Sequence, residues 1–497
     1  MHASVLPRPA CRRFRLAVTF CLAFCVPPLL APVTLHAQTA DEKQQLAGTQ
    51  SIGDAVRLAE QSAASHIAPR VAGTAPPAAI HILYVHGINQ IGPGDSAMLR
   101  ASICRYLHAC EVHDTGRIYA EGPFAIGAPP PSLAYMNVPI WTTSEQWSAS
   151  APFIERYEIS GGGHVPILID ELNWYPIVYP IKCRWLIARD AALTGPDDAQ
   201  IKVCEAAPQG TQADPAHPGR FLQYQWIANQ EGDELEKIHR RATFLNRDMK
   251  NGLMDWGFGD AVMALGDVQQ LLTVGIRELL DASLTASGVD LHITQATDSG
   301  PEAFFVTHSL GSYLSLTALD ADWLGPAASA LPQFAITPEE KSGADYFSAH
   351  TAGFYFLANQ VGLLELANIA PLSPTGDPPQ TSAPAEPVTG PCPAPGTQAP
   401  SPATPKPDSI EHWQALRQQY LARHALTVKG PQIVAWNDPD DLLTWRVPCL
   451  ASVRVVNLRV RNAGFKIPPF FVWPLGAHDN YADNRKVFRV IFSPTAE

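Results

Sequence analysis

The sequence lacks any internal apolar run long enough to cross a bilayer. Beyond residue 40, no stretch of about 18 apolar residues continues without a charge or a turn former, so we expect no transmembrane segment in the mature chain. Basic residues are also scarce, since 35 Lys and Arg stand against 47 Asp and Glu, for a net charge of −12. This balance argues against nucleic acid or an anionic membrane surface as the main partner.

Paired C-x-x-C motifs, which are typical of zinc clusters, are missing as well, and we expect neither a metal nor a cofactor. Of nine cysteines, three lie before residue 38. The remaining even number suits disulfides in an exported protein. Several connectivities are open, and we favour the one that closes the shortest loops: Cys104–Cys110, Cys183–Cys204 and Cys392–Cys449.

The N-terminal residues have the pattern of an export signal. Arginines between positions 8 and 15 precede an apolar stretch over Leu16–Leu35, and a cleavage site follows near Ala37. This pattern predicts a signal peptide over residues 1–37 and a periplasmic or secreted mature protein. The alternative is an uncleaved membrane anchor. The prolines inside the apolar run and the shortness of that run argue against it.

β-rich runs alternate with helix-compatible stretches along the mature chain. We expect strands at 79–85, 303–307, 354–357, 432–436 and 453–460, and helices at 52–64, 255–287, 310–319 and 409–425. This alternation predicts an α/β fold with a mostly parallel sheet flanked by helices. The expected organisation is an N-terminal extension (38–78), a core (79–370), a Pro-rich loop (371–408) and a C-terminal part of the core (409–497).

Two segments interrupt the alternation. Residues 371–407 hold 13 prolines and predict an extended surface loop. Residues 120–250 contain strand-like pieces at 137–141 and 165–169 and predict sheet elements mixed with a large aromatic-rich insertion. Its aromatic residues either form a lid or an acyl pocket, or simply fill the core: Trp141, Trp147, Trp174, Tyr175, Tyr179 and Trp185.

The segment Thr307-His308-Ser309-Leu310-Gly311 joins a predicted strand to a predicted helix. It resembles the nucleophile elbow G-x-S-x-G of the α/β-hydrolase superfamily, with Thr307 in place of the first glycine. The resemblance implies an α/β-hydrolase fold in which Ser309 is the nucleophile. The alternative is an ordinary strand–helix junction at which Ser309 caps the helix.

A second piece of the resemblance is His86-Gly87-Ile88, which follows the strand at 79–85. In the superfamily, the loop after the third strand and the residue after the nucleophile each contribute one oxyanion-hole amide. The resemblance thus implies Ile88 and Leu310 as the donors and places Gly87 and His308 beside the substrate. The alternative is a simple glycine turn that ends a strand.

The remaining pieces are an acid and a base. Asp438, Asp440 and Asp441 follow the strand at 432–436, and His478 follows the last strand-like segment. The order Ser309, Asp441, His478 matches the nucleophile–acid–base order of the superfamily. We rank Asp441 first because it directly precedes Leu442-Leu443, then Asp438, then Asp440. A solvated acidic turn is the alternative, and a calcium loop is disfavoured by the lack of EF-hand spacing.

Together these pieces resemble the bacterial lipase and esterase branch of the superfamily. The resemblance implies an exported serine hydrolase that cleaves small-molecule or lipid carboxylic esters through an acyl-enzyme on Ser309. An amidase, peptidase or thioesterase on the same fold is an alternative. A non-catalytic binding protein that retains the fold is another, because fold alone does not determine function.

Overall fold

The β-rich runs assemble into one central sheet in the computed structural model. The strands, in chain order, are β1 (Ile80–Val85), β2 (Glu111–Tyr119), β3 (Ala134–Tyr135), β4 (Val138–Pro139), β5 (Phe153–Ser160), β6 (Ile167–Asn173), β7 (Glu302–His308), β8 (Thr351–Leu357), β9 (Gln432–Asn437), β10 (Arg454–Arg459), β11 (Lys466–Ile467) and β12 (Phe471–Val472). The structure describes residues 40–47, 49–65, 80–88, 93–108, 110–120, 122, 124, 134–135, 138–141, 143–161, 164–183, 254, 257–288, 302–320, 338–364, 392, 410–425, 430–450, 452–462, 466–467, 471–472, 474–482 and 484–492.

Eight of these strands form the sheet in the order β10-β9-β8-β7-β1-β6-β5-β2. The pairs from β10 to β6 are parallel, whereas β5 is antiparallel to both of its neighbours. Two short antiparallel pairs, β3–β4 and β11–β12, lie outside it. The expected α/β class with a mostly parallel sheet is confirmed.

Helices connect the strands and flank the sheet. They are α1 (Ala40–Leu46), α2 (Ile52–Ser65), α3 (Ala97–Leu107), α4 (Ser144–Ser148), α5 (Tyr175–Lys182), α6 (Gly259–Leu265), α7 (Val268–Ala286), α8 (Leu310–Leu319), α9 (Pro338–His350), α10 (Val361–Leu364), α11 (Ile410–Arg423), α12 (Pro474–Asp479) and α13 (Arg485–Phe492). None of the helices in the described part of the chain combines the length and hydropathy needed to span a bilayer.

Both faces of the sheet are buried at its parallel strands β1, β7, β8 and β9, which explains why these strands are apolar runs rather than alternating ones. In β1, Leu83 and Val85 belong to a core shared with α7 and α8. Ile80, Ile82 and Tyr84 belong to the opposite core, which is shared with α2, α3 and α13. Burying each aliphatic side chain contributes about 1.5–3 kcal/mol, so these two layers hold the sheet rigid.

The aromatic residues of the predicted insertion fill the interior. Trp141, Trp147 and Trp174 are at most 2% exposed and pack in the core beneath α7 and α8. Tyr175 and Tyr179 are also buried, and Trp185 lies outside the described residues. β5 and β6, which lie within the range of the predicted insertion, belong to the central sheet.

The predicted helix over 255–287 is two helices. The chain breaks at Gly266, whose extended backbone ends α6 before α7 begins at Val268. A glycine inside an amphipathic pattern gives no side-chain signal of a break, and for that reason the periodicity alone predicted one helix. The predicted strand at 354–357 begins three residues earlier, at Thr351, and the strand-like piece at 165–169 is β6, which extends to Asn173. The other predicted strands and helices are confirmed within one or two residues at their ends.

Disulfides join Cys104 to Cys110 and Cys392 to Cys449, as the shortest-loop scheme predicts. Cys183 is also disulfide-bonded. Its predicted partner Cys204, the predicted signal peptide and all but one residue of the Pro-rich loop lie outside the described residues.

Candidate active site

The predicted functional residues come together at one edge of the sheet. β1, β7 and β9 run parallel within it, so their carboxyl ends lie on the same side. Gly87 follows β1, Ser309 follows β7, Asp441 follows β9, and His478 lies in α12 after β10. In open α/β sheets, this edge is where ligands bind.

Ser309 stands at a sharp turn between β7 and α8. Its backbone has φ 52° and ψ −122°, a conformation that residues other than glycine rarely adopt. The turn is held by the Ser309 N–H, which donates to the Leu357 carbonyl at 2.7 Å, and by the Ser312 hydroxyl, which donates to the Ser309 carbonyl at 2.7 Å. The Ser309 side chain makes no helix-capping bond, which argues against the simple capping alternative.

The Ser309 hydroxyl is hydrogen-bonded to the imidazole of His478. The Oγ–Nε2 distance is 2.8 Å, and the other ring nitrogen, Nδ1, lies 3.0 Å from both carboxylate oxygens of Asp441. Because a carboxylate only accepts, Nδ1 carries the proton, and Nε2 is left as an acceptor for the serine hydroxyl. All three side chains are buried.

The structure distinguishes the three candidate acids. Asp441 alone among them contacts His478 in the described residues. Asp438 instead accepts the backbone N–H groups of Asp440 and Asn462, and burial raises the pKa of its carboxyl. Asp440 is exposed. The prediction of Asp438 as a second candidate is therefore corrected: its carboxylate shapes the acid loop and does not face the imidazole.

Three polar side chains that were not predicted from the sequence hold the loops of this site in place. Asn359 accepts the Ser312 hydroxyl at 3.3 Å and donates to the Trp445 carbonyl at 2.9 Å, which joins α8 to the segment that follows β9. Asn462 donates to the Ala477 carbonyl at 2.7 Å, beside the base. The Tyr481 hydroxyl accepts the Asp438 N–H at 2.6 Å. No local pattern marks these residues.

The loop after β1 lies directly against the serine. A Cβ atom added at Gly87 would lie 2.6 Å from the Ser309 Cβ, and one added at Gly311 would lie 2.4 Å from the Val85 carbonyl oxygen. Glycine at both positions therefore allows the two backbones to approach. Leu310 begins α8, so its N–H is one of the helix's orphan donors. Ile88, the other predicted donor, lies in the turn directly after Gly87.

His308 lies beside the base. Its Nε2 donates to the His478 carbonyl at 3.0 Å, and the two rings are 5.2 Å apart. Burial, reinforced by the neighbouring His478, lowers the pKa of His308 to about 4, so the ring is neutral at neutral pH. The contacts of His308 connect it to the segment that carries the base, whereas the sequence predicted a substrate-binding role.

Comparisons with protein-family models, with curated proteins and with solved structures each found no match to this chain. Within the described part of the chain, no group of three or more His, Cys, Asp or Glu side chains is arranged to hold a metal ion.

The arrangement can carry out nucleophilic catalysis. A serine hydroxyl is a weak nucleophile at neutral pH, and an adjacent base that accepts its proton activates it. The imidazole of His478 is positioned for that transfer, and the Asp441 carboxylate fixes its tautomer and stabilises the imidazolium that forms. The Leu310 N–H, at the start of α8 directly after Ser309, is a backbone donor of the kind that stabilises negative charge on an attacked carbonyl oxygen.

Proposed function

We propose that the protein is an exported serine hydrolase of the α/β-hydrolase fold that cleaves carboxylic esters through an acyl-enzyme on Ser309. One observation carries the proposal. The chain of contacts from the Ser309 Oγ to the His478 Nε2, and from the His478 Nδ1 to the Asp441 carboxylate, has the distances that nucleophile activation requires.

In the proposed reaction, the Ser309 oxygen attacks the ester carbonyl carbon while His478 takes the hydroxyl proton. The resulting oxyanion is stabilised by the N–H groups of Ile88 and Leu310. Collapse of the tetrahedral intermediate breaks the bond to the alkoxy group, which leaves as an alcohol after His478 returns the proton. Water, deprotonated by the same imidazole, then hydrolyses the acyl-enzyme and releases the acid.

The fold class supports this assignment. The nucleophile, acid and base follow β7, β9 and β10 in that order, as they do in the superfamily that the sequence resembles. The turn at Ser309, with its positive φ, matches the strained strand–turn–helix junction that exposes a nucleophile in that superfamily.

Export is supported by the disulfides. Cys104–Cys110 and Cys392–Cys449 are formed, and disulfides persist mainly in oxidising compartments outside the cytosol. Together with the predicted signal peptide, this favours the periplasm or the external medium as the site of action.

A fluorophosphonate probe tests the nucleophile directly, because it reacts with activated serines. We expect labelling of the folded protein that disappears in Ser309→Ala. Ser315→Ala is the matched control: Ser315 lies on the same helix, and its hydroxyl donates to the Gly311 carbonyl at 2.6 Å, away from His478. Labelling that survives Ser309→Ala, or no labelling of folded wild-type protein, would refute the proposal.

The leaving-group class is tested with matched substrates that share one acyl group. We expect kcat/KM to be highest for esters and lower for the corresponding thioesters and anilides. A preference for anilides or peptides would reassign the protein to the amidases or peptidases while leaving Ser309 as nucleophile. Probe labelling without turnover of any of these substrates would indicate a narrower acyl specificity than the panel covers.

A further inference from the structure

His86 is a buried titratable side chain that the proposed reaction does not use. It directly precedes Gly87, is fully buried, and stacks on Trp174 with ring centroids 4.7 Å apart and planes 14° from parallel. Its Nδ1 lies 2.9 Å from the carbonyl oxygen of Gly87, the next residue in the chain. The side chain thus turns back onto the loop that approaches the serine.

The position of its proton is determined by its partners. Nδ1 has a carbonyl acceptor, whereas Nε2 has no hydrogen-bond partner within the described residues. The proton therefore lies on Nδ1, which donates to Gly87. Burial, together with the nearby Lys182 and His308, lowers the pKa of His86 to about 3, so the ring stays neutral and keeps this tautomer over the working pH range.

This hydrogen bond constrains the peptide between Gly87 and Ile88. In a trans peptide, the carbonyl of residue 87 and the N–H of residue 88 point in opposite directions. Holding the Gly87 carbonyl against the imidazole therefore turns the Ile88 N–H away from it. The preceding peptide is held as well, because Trp174 Nε1 donates to the His86 carbonyl at 3.2 Å.

The two peptides that flank Gly87 need an external restraint on their rotation, because the backbone of this loop does not restrict it. Any side chain at residue 87 would meet the Ser309 Cβ, so this position must be glycine. Glycine is also the residue that leaves the adjoining peptides most free to rotate. A hydrogen bond from the neighbouring side chain supplies the rigidity that a larger residue at 87 would otherwise provide.

We propose that His86 is a positioning residue that orients the Gly87–Ile88 peptide so that the Ile88 N–H faces the oxyanion. The inference rests on the proposed function, since it assigns a role in stabilising the tetrahedral intermediate. His86 itself touches neither the substrate nor the reacting atoms. Trp174 stacks on one face of the His86 ring and so restrains the ring that carries the donor.

The test compares two variants. His86→Phe keeps a planar ring to stack on Trp174 but removes the donor, whereas His86→Asn places an amide N–H close to the position of Nδ1. We expect His86→Phe to lower kcat by about 10–10³-fold, because losing one oxyanion donor typically costs about 10²–10³-fold. His86→Asn should recover a large part of that loss. Thermal melting checks that both variants are folded.

Hydrolysis of a thionoester distinguishes a misoriented Ile88 N–H from a general loss of activity caused by disturbed structure. Sulfur accepts hydrogen bonds poorly, so hydrolysis of a 4-nitrophenyl thionoester depends less on the oxyanion donors than hydrolysis of the matching ester. We expect the ratio of ester to thionoester kcat/KM to fall at least several-fold in His86→Phe and to recover in His86→Asn. An unchanged ratio with both rates lowered equally would refute the inference, whereas a wild type that hydrolyses neither substrate would refute the proposed function instead.

A measurement on the wild type covers the case in which His86→Phe does not fold. Nitrogen NMR of protein labelled at histidine should show His86 as the neutral tautomer protonated at Nδ1 between pH 5 and 8, with His86→Asn used to assign the signal. A proton on Nε2 would contradict the inference, because the bond to the Gly87 carbonyl requires a donor at Nδ1.

Discussion

The backbone of Ser309 adopts an energetically unfavourable conformation, which presents its hydroxyl group at a sharp turn. Its φ of 52° is one that side chains with a Cβ atom avoid, and such positions cost about 1–3 kcal/mol each. The turn is maintained by hydrogen bonds to Leu357 and Ser312 and by the tight packing of Gly311 against β1. Strain of this kind, concentrated on the residue that would do the chemistry, is consistent with a functional role.

The strain predicts a measurable difference between two inactive variants. Ser309→Ala and Ser309→Gly both remove the hydroxyl group, but only glycine adopts the positive φ without a steric penalty. We expect Ser309→Gly to unfold at a higher urea concentration than Ser309→Ala, by about 1 kcal/mol in free energy of unfolding. Equal stability of the two variants would show that the turn is unstrained.

The acid assignment predicts opposite behaviour of two neighbouring aspartates. Asp441→Asn should lower kcat by about 10³–10⁴-fold, because an amide favours the wrong imidazole tautomer. Asp438→Asn should leave kcat within a few-fold of wild type but lower the free energy of unfolding by about 1–3 kcal/mol, since one of the two backbone N–H groups that its carboxylate accepts would then face an amide NH2 group. Steady-state kinetics and urea unfolding of both variants distinguish them, and a severe loss of kcat in Asp438→Asn alone would reverse the roles.

A site residue can be predicted from the sequence where its neighbours along the chain mark it, and it cannot where its role depends on contacts with distant segments. Ser309 stands in a motif that identifies it by itself, and His478 was suggested by its place after the last strand and by the order of the three residues along the chain. Asp441 was ranked above Asp438 only because it directly precedes the apolar pair Leu442-Leu443. The roles of Asn359, Asn462 and Tyr481 arise from contacts between loops that follow different strands, and no window of sequence contains them.

At the scale of elements, the approach of α8 to β1 positions Ser309 beside Gly87. Gly311 allows that approach, since the helix backbone passes within contact distance of the carbonyls of Val85 and His86. The same contact aligns the start of α8, with the Leu310 N–H, beside Gly87. Helix α7 packs against α8, and its Arg277 donates to the Ala318 carbonyl at the end of α8 at 2.9 Å.

Gly311→Ala tests this packing. The added Cβ would lie 2.4 Å from the Val85 carbonyl oxygen, and because that oxygen is backbone within a central strand it cannot move aside easily. We expect a loss of about 1–3 kcal/mol in the free energy of unfolding, measured with urea. Gly430→Ala is the control, since nothing lies within 4 Å of its added Cβ, and an equal effect at both positions would contradict this account.

At this scale, strands were predictable where they form apolar runs and helices where apolar positions recur at helical spacing, but the order of the strands in the sheet was not predictable. The strands β1, β7, β8, β9 and β10 are apolar runs that the sequence shows plainly. The edge strand β2 is mostly exposed and polar, so its nine residues carry no buried-strand signal. Its place beside β5 depends on pairing between Glu111–Tyr119 and Phe153–Ser160, which no local propensity encodes.

At the scale of the whole molecule, buried neutral histidines couple stability to pH. Burial lowers the pKa of His86 to about 3 and of His308 to about 4, from an ordinary value of 6.5. The unfolded chain therefore binds these protons more readily than the folded protein does. Their contribution to stability is fully present above about pH 6.5 and is lost as the pH falls from there toward 3, with each pKa unit worth about 1.4 kcal/mol.

We expect the free energy of unfolding to fall between pH 7 and pH 4, and the fall to be shallower in His86→Asn and His308→Gln. His113→Gln serves as the control, because the His113 side chain is 55% exposed and lies on the edge strand. Urea unfolding at a series of pH values measures the slopes. Identical slopes in wild type and all three variants would show that the buried rings do not govern the acid sensitivity.

The central claim, a covalent acyl intermediate on Ser309, is tested most directly by rapid quenching after mixing the mature protein with a 4-nitrophenyl ester. We predict a burst of 4-nitrophenol release equal to the enzyme concentration and a mass increase of one acyl group on the peptide that contains residue 309. An acyl group on any other peptide, or turnover undiminished in Ser309→Ala, would contradict it.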